Sequence, residues 1–221
     1  YLIQRIRQSR LLDDVIVATT ENQIDDQIVQ FCKTYGVNYY RGSENDVLDR
    51  ISSMIEEKSI DHHVEFFGDS PLIDSHIIDE VIGYYFKYKD KYDFVTNSLK
   101  ITYPPGQEVS IYRGECLVEA NRSTPLNDPL REHVNIHITN HPDKFKIKNL
   151  EAPRYYHHPN IYLEVDTPED FEMISAIIKH FANIGNINFT LAQILDYLSI
   201  NNSLIEINNK VFRKWKEFKK N

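Results

Sequence analysis

The sequence predicts one α/β domain built on a mixed, mostly parallel sheet. Over residues 1–85, apolar strand-like runs alternate with helix-like stretches, which is the pattern of a parallel sheet with crossover helices. After residue 85 the alternation loosens, which favours a mixed sheet. No internal repeat and no linker rich in glycine or serine divides the 221 residues. We therefore predict a single domain over 1–221, with 191–221 as its C-terminal helical extension.

Strands are predicted where a short apolar run is bounded by polar or turn-forming residues. The run at 15–19 is continuously apolar and is expected to be buried and parallel, whereas 108–112 alternates and is expected to be half exposed and antiparallel. The predicted strands lie at 15–19, 37–40, 64–67, 93–97, 108–112, 145–150 and 162–165.

Helices are predicted from apolar residues that recur every three to four positions and from the residues that begin and end them. Gly36 stands in the usual glycine position after a helix. Asp166 or Thr167 is expected to cap a helix that has Pro168 in its first turn. The predicted helices lie at 2–10, 24–35, 46–55, 73–85, 114–121, 131–140, 166–180, 191–198 and 209–220, with a loop at 122–129.

Composition excludes several classes of protein. A formal net charge of −8 argues against a nucleic-acid binder, which needs a basic surface. The two cysteines, Cys32 and Cys116, stand in apolar surroundings and are expected to be buried thiols in a reducing compartment. No apolar run approaches the ~18 residues of a membrane span, and no signal peptide opens the chain. We therefore expect a cytoplasmic protein.

The stretch 64–74 holds the first candidate for chemistry. Its apolar run stops at Gly68, Asp69 follows at once, and Pro71 constrains the next turn. An acid just past the carboxyl end of a strand lies where open α/β sheets hold their ligands. A carboxylate there could bind Mg²⁺, which usually carries substrate phosphates. The alternative is that Asp69 only caps the following helix or closes the turn.

Asp166 repeats this arrangement after the predicted strand at 162–165. If the two strands are neighbours in one sheet, Asp69 and Asp166 converge at one edge. Two carboxylates about 4–6 Å apart would make a Mg²⁺ site with open positions for a triphosphate. The alternative for Asp166 is an ordinary helix N-cap, which its context also supports.

Five short motifs occur in an order and spacing that resemble the sugar-activating cytidylyltransferases. The motifs are VATT (17–20), RGSENDVLDR (41–50), GDSPLID (68–74), REHV (131–134) and VDTPED (165–170). The chain is most similar to the branch named after spore-coat polysaccharide biosynthesis protein F, which is related to the synthetases of CMP-Kdo and CMP-sialic acid. Each motif alone is weak, but the five in register cover nearly the whole chain.

The resemblance implies a three-layer α/β/α domain of the nucleotide-diphospho-sugar transferase type, which is Rossmann-like and similar to the glycosyltransferase-A fold. It implies attack by an acceptor hydroxyl or phosphate on the α-phosphate of CTP, with release of pyrophosphate. By position, Asp69 and Asp166 would bind Mg²⁺, and Arg131 and His133 would face the acceptor or the phosphates. The residues implied to line the nucleoside pocket are Ala18, Thr19, Ser43 and Asp46.

Two departures from the family pattern bear on function. The family begins with a strand and a glycine-rich basic loop that cradles the triphosphate, and this chain starts after that loop. We expect either that the segment has been lost from the N-terminus or that this polypeptide is not active as it stands. Relatives usually carry Leu-Asp-Val-Glu where this chain has QEVS at 107–110. Glu108 is expected to replace the aspartate at longer reach as a substrate-binding residue. Because of this difference, the motif does not identify the acceptor.

The predicted function is a Mg²⁺-dependent cytidylyltransferase that makes a CMP-activated sugar or sugar acid for a surface polysaccharide. Its partners would be CTP and a sugar-like acceptor. The alternative is a non-catalytic nucleotide-sugar-binding or assembly protein that keeps the fold without the triphosphate loop.

Two further patterns are better explained by protein structure than by a metal site or membrane binding. His133, His137 and His141 recur every four residues and share one face of the predicted helix. They lack a cysteine or acid partner, so a polar face is favoured over a zinc site, with His133 alone near the candidate site. The tail 210–220 is expected to dock on its own domain or on a second subunit of a homodimer, in preference to a membrane surface.

Overall fold

The computed structural model describes residues 1–213 and 215, and within them the backbone forms two hydrogen-bonded sheets. The smaller sheet pairs two strands in parallel, with Thr19 opposite Arg41. The strands are β1 (Ile16–Thr20), β2 (Asn38–Gly42), β3 (His62–Glu65), β4 (Phe94–Thr96), β5 (Ser110–Arg113) and β6 (Ile147–Asn149).

The larger sheet has the order β3-β5-β4-β6. β5 is antiparallel to both of its neighbours, and β4 and β6 are parallel. β3, β4 and β6 therefore point the same way, and the predicted mixed sheet is confirmed.

Helices lie on both faces of the larger sheet. Their bounds are α1 (Leu2–Ile6), α2 (Asp26–Tyr35), α3 (Val47–Lys58), α4 (Ser75–Lys87), α5 (Gly114–Ser123), α6 (Ile136–Thr139), α7 (Pro168–Asn183), α8 (Leu191–Ile200) and α9 (Asn202–Asn208). Short 3₁₀ turns lie at Gln23–Asp25, Pro129–Glu132 and Arg154–Tyr156.

Two separate hydrophobic clusters show that the sheet is sandwiched between helix layers. Buried residues of α4, α7 and α8 form one cluster, and buried residues of α3, α5 and α6 form the other. The adjacent β4 residues Phe94 and Val95 are both fully buried, yet they belong to opposite clusters, because successive strand side chains point to opposite faces. The three-layer α/β/α arrangement is thus confirmed.

Several local expectations hold. Gly36 ends α2 with φ of 59°, the left-handed conformation that favours glycine. Cys32 and Cys116 are buried free thiols. Among the helices of the described residues, none combines the length and hydropathy needed to cross a membrane.

The predicted strand at 162–165 is wrong, because that stretch makes no regular ladder. Its backbone N–H groups donate to two different segments: Leu163 to the carbonyl of Pro105, and Val165 to the carbonyl of Asp69 at 2.8 Å. β3 also differs, since it begins at His62 and ends at Glu65 and therefore stops before the apolar pair at 66–67.

Two predicted helices are also corrected. In place of a helix at 131–140, a 3₁₀ turn begins at Pro129, and α6 is a single short turn. His133 lies between the 3₁₀ turn and α6, and its backbone is extended (φ −114°, ψ 124°). At the C-terminus α9 ends at Asn208, and residues 209–213 form a turn and a bend, so the predicted helix does not begin at 209. The remainder of 209–220, apart from Trp215, lies outside the described residues.

Candidate active site

Asp69 and Asp166 are brought together by a backbone hydrogen bond. Asp69 follows β3 in a turn, and its carbonyl accepts the N–H of Val165, the residue before Asp166. The Asp69 side chain accepts a hydrogen bond from the Ser70 hydroxyl at 3.0 Å. The expected convergence of the two acids therefore occurs, although an irregular segment carries Asp166 in place of a strand.

Other residues cap the helices that follow the two acids. Asp74 caps α4 by accepting the N–H of His76, and Thr167 caps α7 by accepting the N–H of Asp170. Neither Asp69 nor Asp166 is therefore the N-cap of the helix that follows it, whereas the alternative that Asp69 only closes the turn is untested.

The charges of the two acids indicate why a cation would fit between them. Burial raises the pKa of Asp69, the Ser70 hydroxyl opposes that shift, and the Asp166 charge raises the pKa further. A divalent cation bound to both carboxylates would replace this repulsion with attraction.

The donor set suits Mg²⁺ that carries phosphates. Among the described residues, no three His, Cys, Asp or Glu side chains gather into a metal-binding group. Asp69 and Asp166 would hold Mg²⁺ as two protein ligands, and water and phosphate oxygens would take the other positions, as Mg²⁺ usually requires.

Glu164 is a neighbouring acid that the sequence reasoning missed. Burial raises the pKa of Glu164 to about 7, and the charges of Glu108 and Asp166 act in the same direction. The signal was present in the sequence, because residues two apart in an extended segment point the same way. Glu164 and Asp166 have that spacing.

Glu108 is held beside this segment by a glycine. Its Oε2 accepts the N–H of Gly106 at 2.8 Å. Gly106 has φ of 98°, and a Cβ there would lie 2.6 Å from the carbonyl carbon of Leu163. The close approach requires glycine and places Glu108 near Glu164.

The residues predicted for the nucleoside pocket lie within β1 and in the loop after β2. Ala18 and Thr19 are in β1, and the Thr19 hydroxyl donates to Asp25 at 3.0 Å. Ser43 follows β2, and its Oγ accepts the N–H of Asp46 at 3.1 Å. Asp46 is the N-cap of α3. These contacts order the loop, and the binding roles of the four residues stay predictions.

Arg131 is buried, with its guanidinium bound to its own chain. Its Nε donates to Asp46 Oδ2 at 2.7 Å, and Nη1 donates to the carbonyl of Thr124 at 3.0 Å. Nη2 donates to the side-chain oxygen of Asn121. The predicted substrate role of Arg131 is untested, and this geometry favours a structural one.

The three histidines do not share a helix face. His133 lies before α6 with its side chain 40% exposed and its Nε2 3.4 Å from Glu132. His137 is buried and hydrogen-bonded to the Leu130 carbonyl, and His141 follows α6. The expected shared face is wrong because the helix is too short. That His133 faces the acceptor or the phosphates stays a prediction.

Comparison with known proteins identifies the family that this chain matches. The family model described as cytidylyltransferase matches residues 1–203. The spore coat polysaccharide biosynthesis protein SpsF of Bacillus subtilis is 32% identical over 182 residues, which cover 80% of this chain and 74% of that protein.

Solved structures of nucleotide-using enzymes are also similar to this chain. A cytidylyltransferase from Leptospira borgpetersenii aligns with a TM-score of 0.86 at 28% identity and covers 96% of this chain and 86% of its own. A CMP:2-keto-3-deoxy-manno-octonic acid synthetase solved with CTP aligns with a TM-score of 0.55 at 15% identity, over 80% of this chain and 86% of its own. At that identity the second likeness shows the fold alone.

Proposed function

This chain belongs to the cytidylyltransferase family, and from that premise we propose that it transfers CMP from CTP to a sugar-like acceptor in a Mg²⁺-dependent reaction. The acceptor would be a sugar or a sugar acid. The name of the Bacillus subtilis relative supports a place in polysaccharide biosynthesis.

The observation that carries the proposal is the convergence of Asp69 and Asp166 through the Val165 hydrogen bond. In the reaction, an acceptor oxygen forms a bond to the α-phosphorus of CTP. The bond from that phosphorus to the oxygen bridging to the β-phosphate breaks, and pyrophosphate leaves. When bound, Mg²⁺ would neutralise charge on the phosphoryl oxygens.

The described residues would contribute by binding and orienting. Asp69 and Asp166 would hold the phosphate-bearing cation at one edge of the sheet. Ser43 and Asp46, in the loop between β2 and α3, would hold the nucleoside. Fixing the reactants in this way can supply much of the rate.

The test is nucleotide binding by the chain, measured by calorimetry with CTP, UTP, ATP and GTP, each with Mg²⁺ and with a chelator. We expect CTP with Mg²⁺ to bind at least about tenfold more tightly than the other three nucleotides. Binding of CTP that is indifferent to Mg²⁺ would contradict the paired-acid site. Tight binding without pyrophosphate release, with any acceptor tried, would favour the non-catalytic alternative.

Two further parts of the proposal concern assembly and location. We propose a homodimer, which sedimentation of the full chain would test. The buried free thiols at Cys32 and Cys116 support a reducing, cytoplasmic location.

A further inference from the structure

The end of the described chain packs against the segment that carries Asp166. We call residues 208–213 together with Trp215 the C-terminal segment. The tail is expected from its sequence to dock on its own domain or on a second subunit, and the side chains of Asn208, Arg213 and Trp215 contact residues 162–170 of the same chain.

Arg213 and Asp170 form a fully buried ion pair. The two side chains are 1% and 0% exposed. Arg213 Nη1 donates to Asp170 Oδ2 at 2.8 Å and Nη2 donates to Oδ1 at 2.5 Å, so the pair is bidentate. Asn208 Nδ2 adds a third donor to the carboxylate, at 2.8 Å from Oδ1.

The same Asp170 carboxylate holds the backbone at Asp166. Its Oδ2 accepts the N–H of Asp166 at 3.2 Å and the N–H of Thr167 at 3.0 Å. The Arg213 guanidinium is therefore linked to the Asp166 backbone through one carboxylate.

The C-terminal segment also holds the residues before Asp166. Trp215 Nε1 donates to Glu164 Oε1 at 2.7 Å. The Arg213 guanidinium carbon lies 4.5 Å from the centre of the Tyr162 ring, and Asn208 Nδ2 donates to the Tyr162 carbonyl at 3.1 Å. Contacts thus exist both before and after Asp166 in the sequence.

A buried ion pair alone is weak evidence for stability, because apolar side chains of similar size often serve as well. Its geometric effect is more specific, since a bidentate pair fixes the position of every group bonded to it. Here those groups include the backbone of a candidate cation ligand.

We propose that Arg213 is a positioning residue for the cation site, which acts through Asp170 to set the Asp166 carboxylate beside Asp69. The inference rests on the proposed function in that the cation is the one used with CTP. Arg213 itself touches neither carboxylate of the proposed cation-binding pair in the structure.

The experiment is a Mn²⁺ titration of the full chain and of Arg213→Lys, followed by electron paramagnetic resonance of the free ion. Lysine keeps the charge but loses the bidentate geometry. We expect Mn²⁺ to bind roughly 10- to 100-fold more weakly, as is typical when a group supporting a metal ligand is removed. Circular dichroism would confirm that the variant is folded.

The matched control is Arg5→Lys. Arg5 is also a buried arginine over an aromatic ring, with its guanidinium 4.7 Å from Phe189. It donates to the carbonyls of Ile73 and Phe189, which lie outside residues 162–170. We expect a similar loss of melting temperature with Mn²⁺ affinity unchanged within about twofold.

Equal losses of Mn²⁺ affinity in the two variants, or no loss in folded Arg213→Lys, would overturn the positioning role. If Arg213→Lys does not fold, Asp170→Asn replaces it, because the amide keeps one oxygen acceptor but loses the bidentate pair with Arg213. A folded Asp170→Asn with unchanged Mn²⁺ affinity would then overturn the proposal. Failure of the native chain to bind Mn²⁺ would instead refute the cation site of the proposed function and the inference with it.

Discussion

Two buried arginines bind carboxylates in different regions, and they differ in what those carboxylates hold. Arg131 links the start of α3 to the end of α5 through Asp46 and Asn121. Arg213 links the C-terminal segment to the start of α7 through Asp170. Arg131 stands in a family-like motif, whereas Arg213 stands in a tail without one.

The difference shows that an arginine outside any family-like motif can be linked more closely to the candidate cation site, through its contacts, than an arginine inside one. The carboxylate that binds Arg131 caps a helix, but the one that binds Arg213 also accepts the N–H of Asp166. An arginine with its donors bound to the chain cannot offer the same fork to a phosphate. Its effect on function must pass through the groups that it holds.

The largest expected effect comes from the carboxylates that these arginines do not bind. Asp69→Asn and Asp166→Asn should each lower Mg²⁺-dependent turnover by about 10³-fold or more, because each removes a charged ligand of the proposed cation. The melting temperature should stay the same or rise for Asp69→Asn, since burial and, to a lesser extent, the Asp166 charge raise the pKa of Asp69 and disfavour its ionised form. Pyrophosphate release and differential scanning calorimetry are the measurements.

Asp143→Asn is the control, because its side chain is 73% exposed and its ion-pair partner is His141, which is not part of the candidate site. It should change neither turnover nor stability. If Asp166→Asn destabilises the protein but its folded fraction binds nucleotide as the native chain does, then the role of Asp166 is structural.

The sequence predicted the paired acids because both follow extended segments that lead towards one edge of the sheet. That expectation survived the loss of the strand at 162–165, since a single backbone bond from Val165 to Asp69 is enough to join them. The local pattern indicated where the chain runs, but not whether it forms a ladder.

The arginine roles could not be predicted in this way. The partners of Arg131 include the Thr124 carbonyl, which only the folded end of α5 brings close. Arg213 pairs with Asp170, 43 residues away, and no local periodicity encodes such a contact. The basic and aromatic tail instead favoured a helix.

The second prediction separates a structural Arg131 from a catalytic one. Arg131→Met should lower the free energy of unfolding by roughly 3 kcal/mol, because it leaves the partly buried Asp46 carboxylate without its cation. Asp46→Asn should cost less, since asparagine also caps helices. In urea unfolding, the double variant should lose less than the sum of the two single variants.

The opposite result would support the prediction from the family-like motif that Arg131 faces the acceptor or the phosphates. If Arg131→Met unfolds at the native urea midpoint but loses turnover, its guanidinium acts on substrate and not on Asp46. Measuring unfolding and pyrophosphate release on the same preparations distinguishes the two roles.

The smallest effect concerns a buried carboxylate that an arginine does not bind in the structure. Burial acts to raise the pKa of Asp170, but hydrogen bonds from Arg213, Asn208 and Thr167 lower it below its usual value. Burial raises the pKa of Glu65 to about 7, only partly opposed by hydrogen bonds from Tyr112 and Asn135. The contrast between Asp170 and Glu65 shows how a guanidinium partner lowers the pKa of a buried carboxyl group.

The raised pKa of Glu65 makes folding stability fall as pH rises. The unfolded carboxyl ionises near its ordinary pKa of 4.5, while the folded one stays protonated to about 7. The unfolding free energy should therefore drop by about 2 kcal/mol between pH 5 and pH 7 from this group alone. His63 acts oppositely over the acid range, because burial lowers its pKa to about 4. Subtracting the curve of Glu65→Gln from that of the native chain removes the His63 contribution, and a flat difference would show that the Glu65 carboxyl is already ionised in the folded protein.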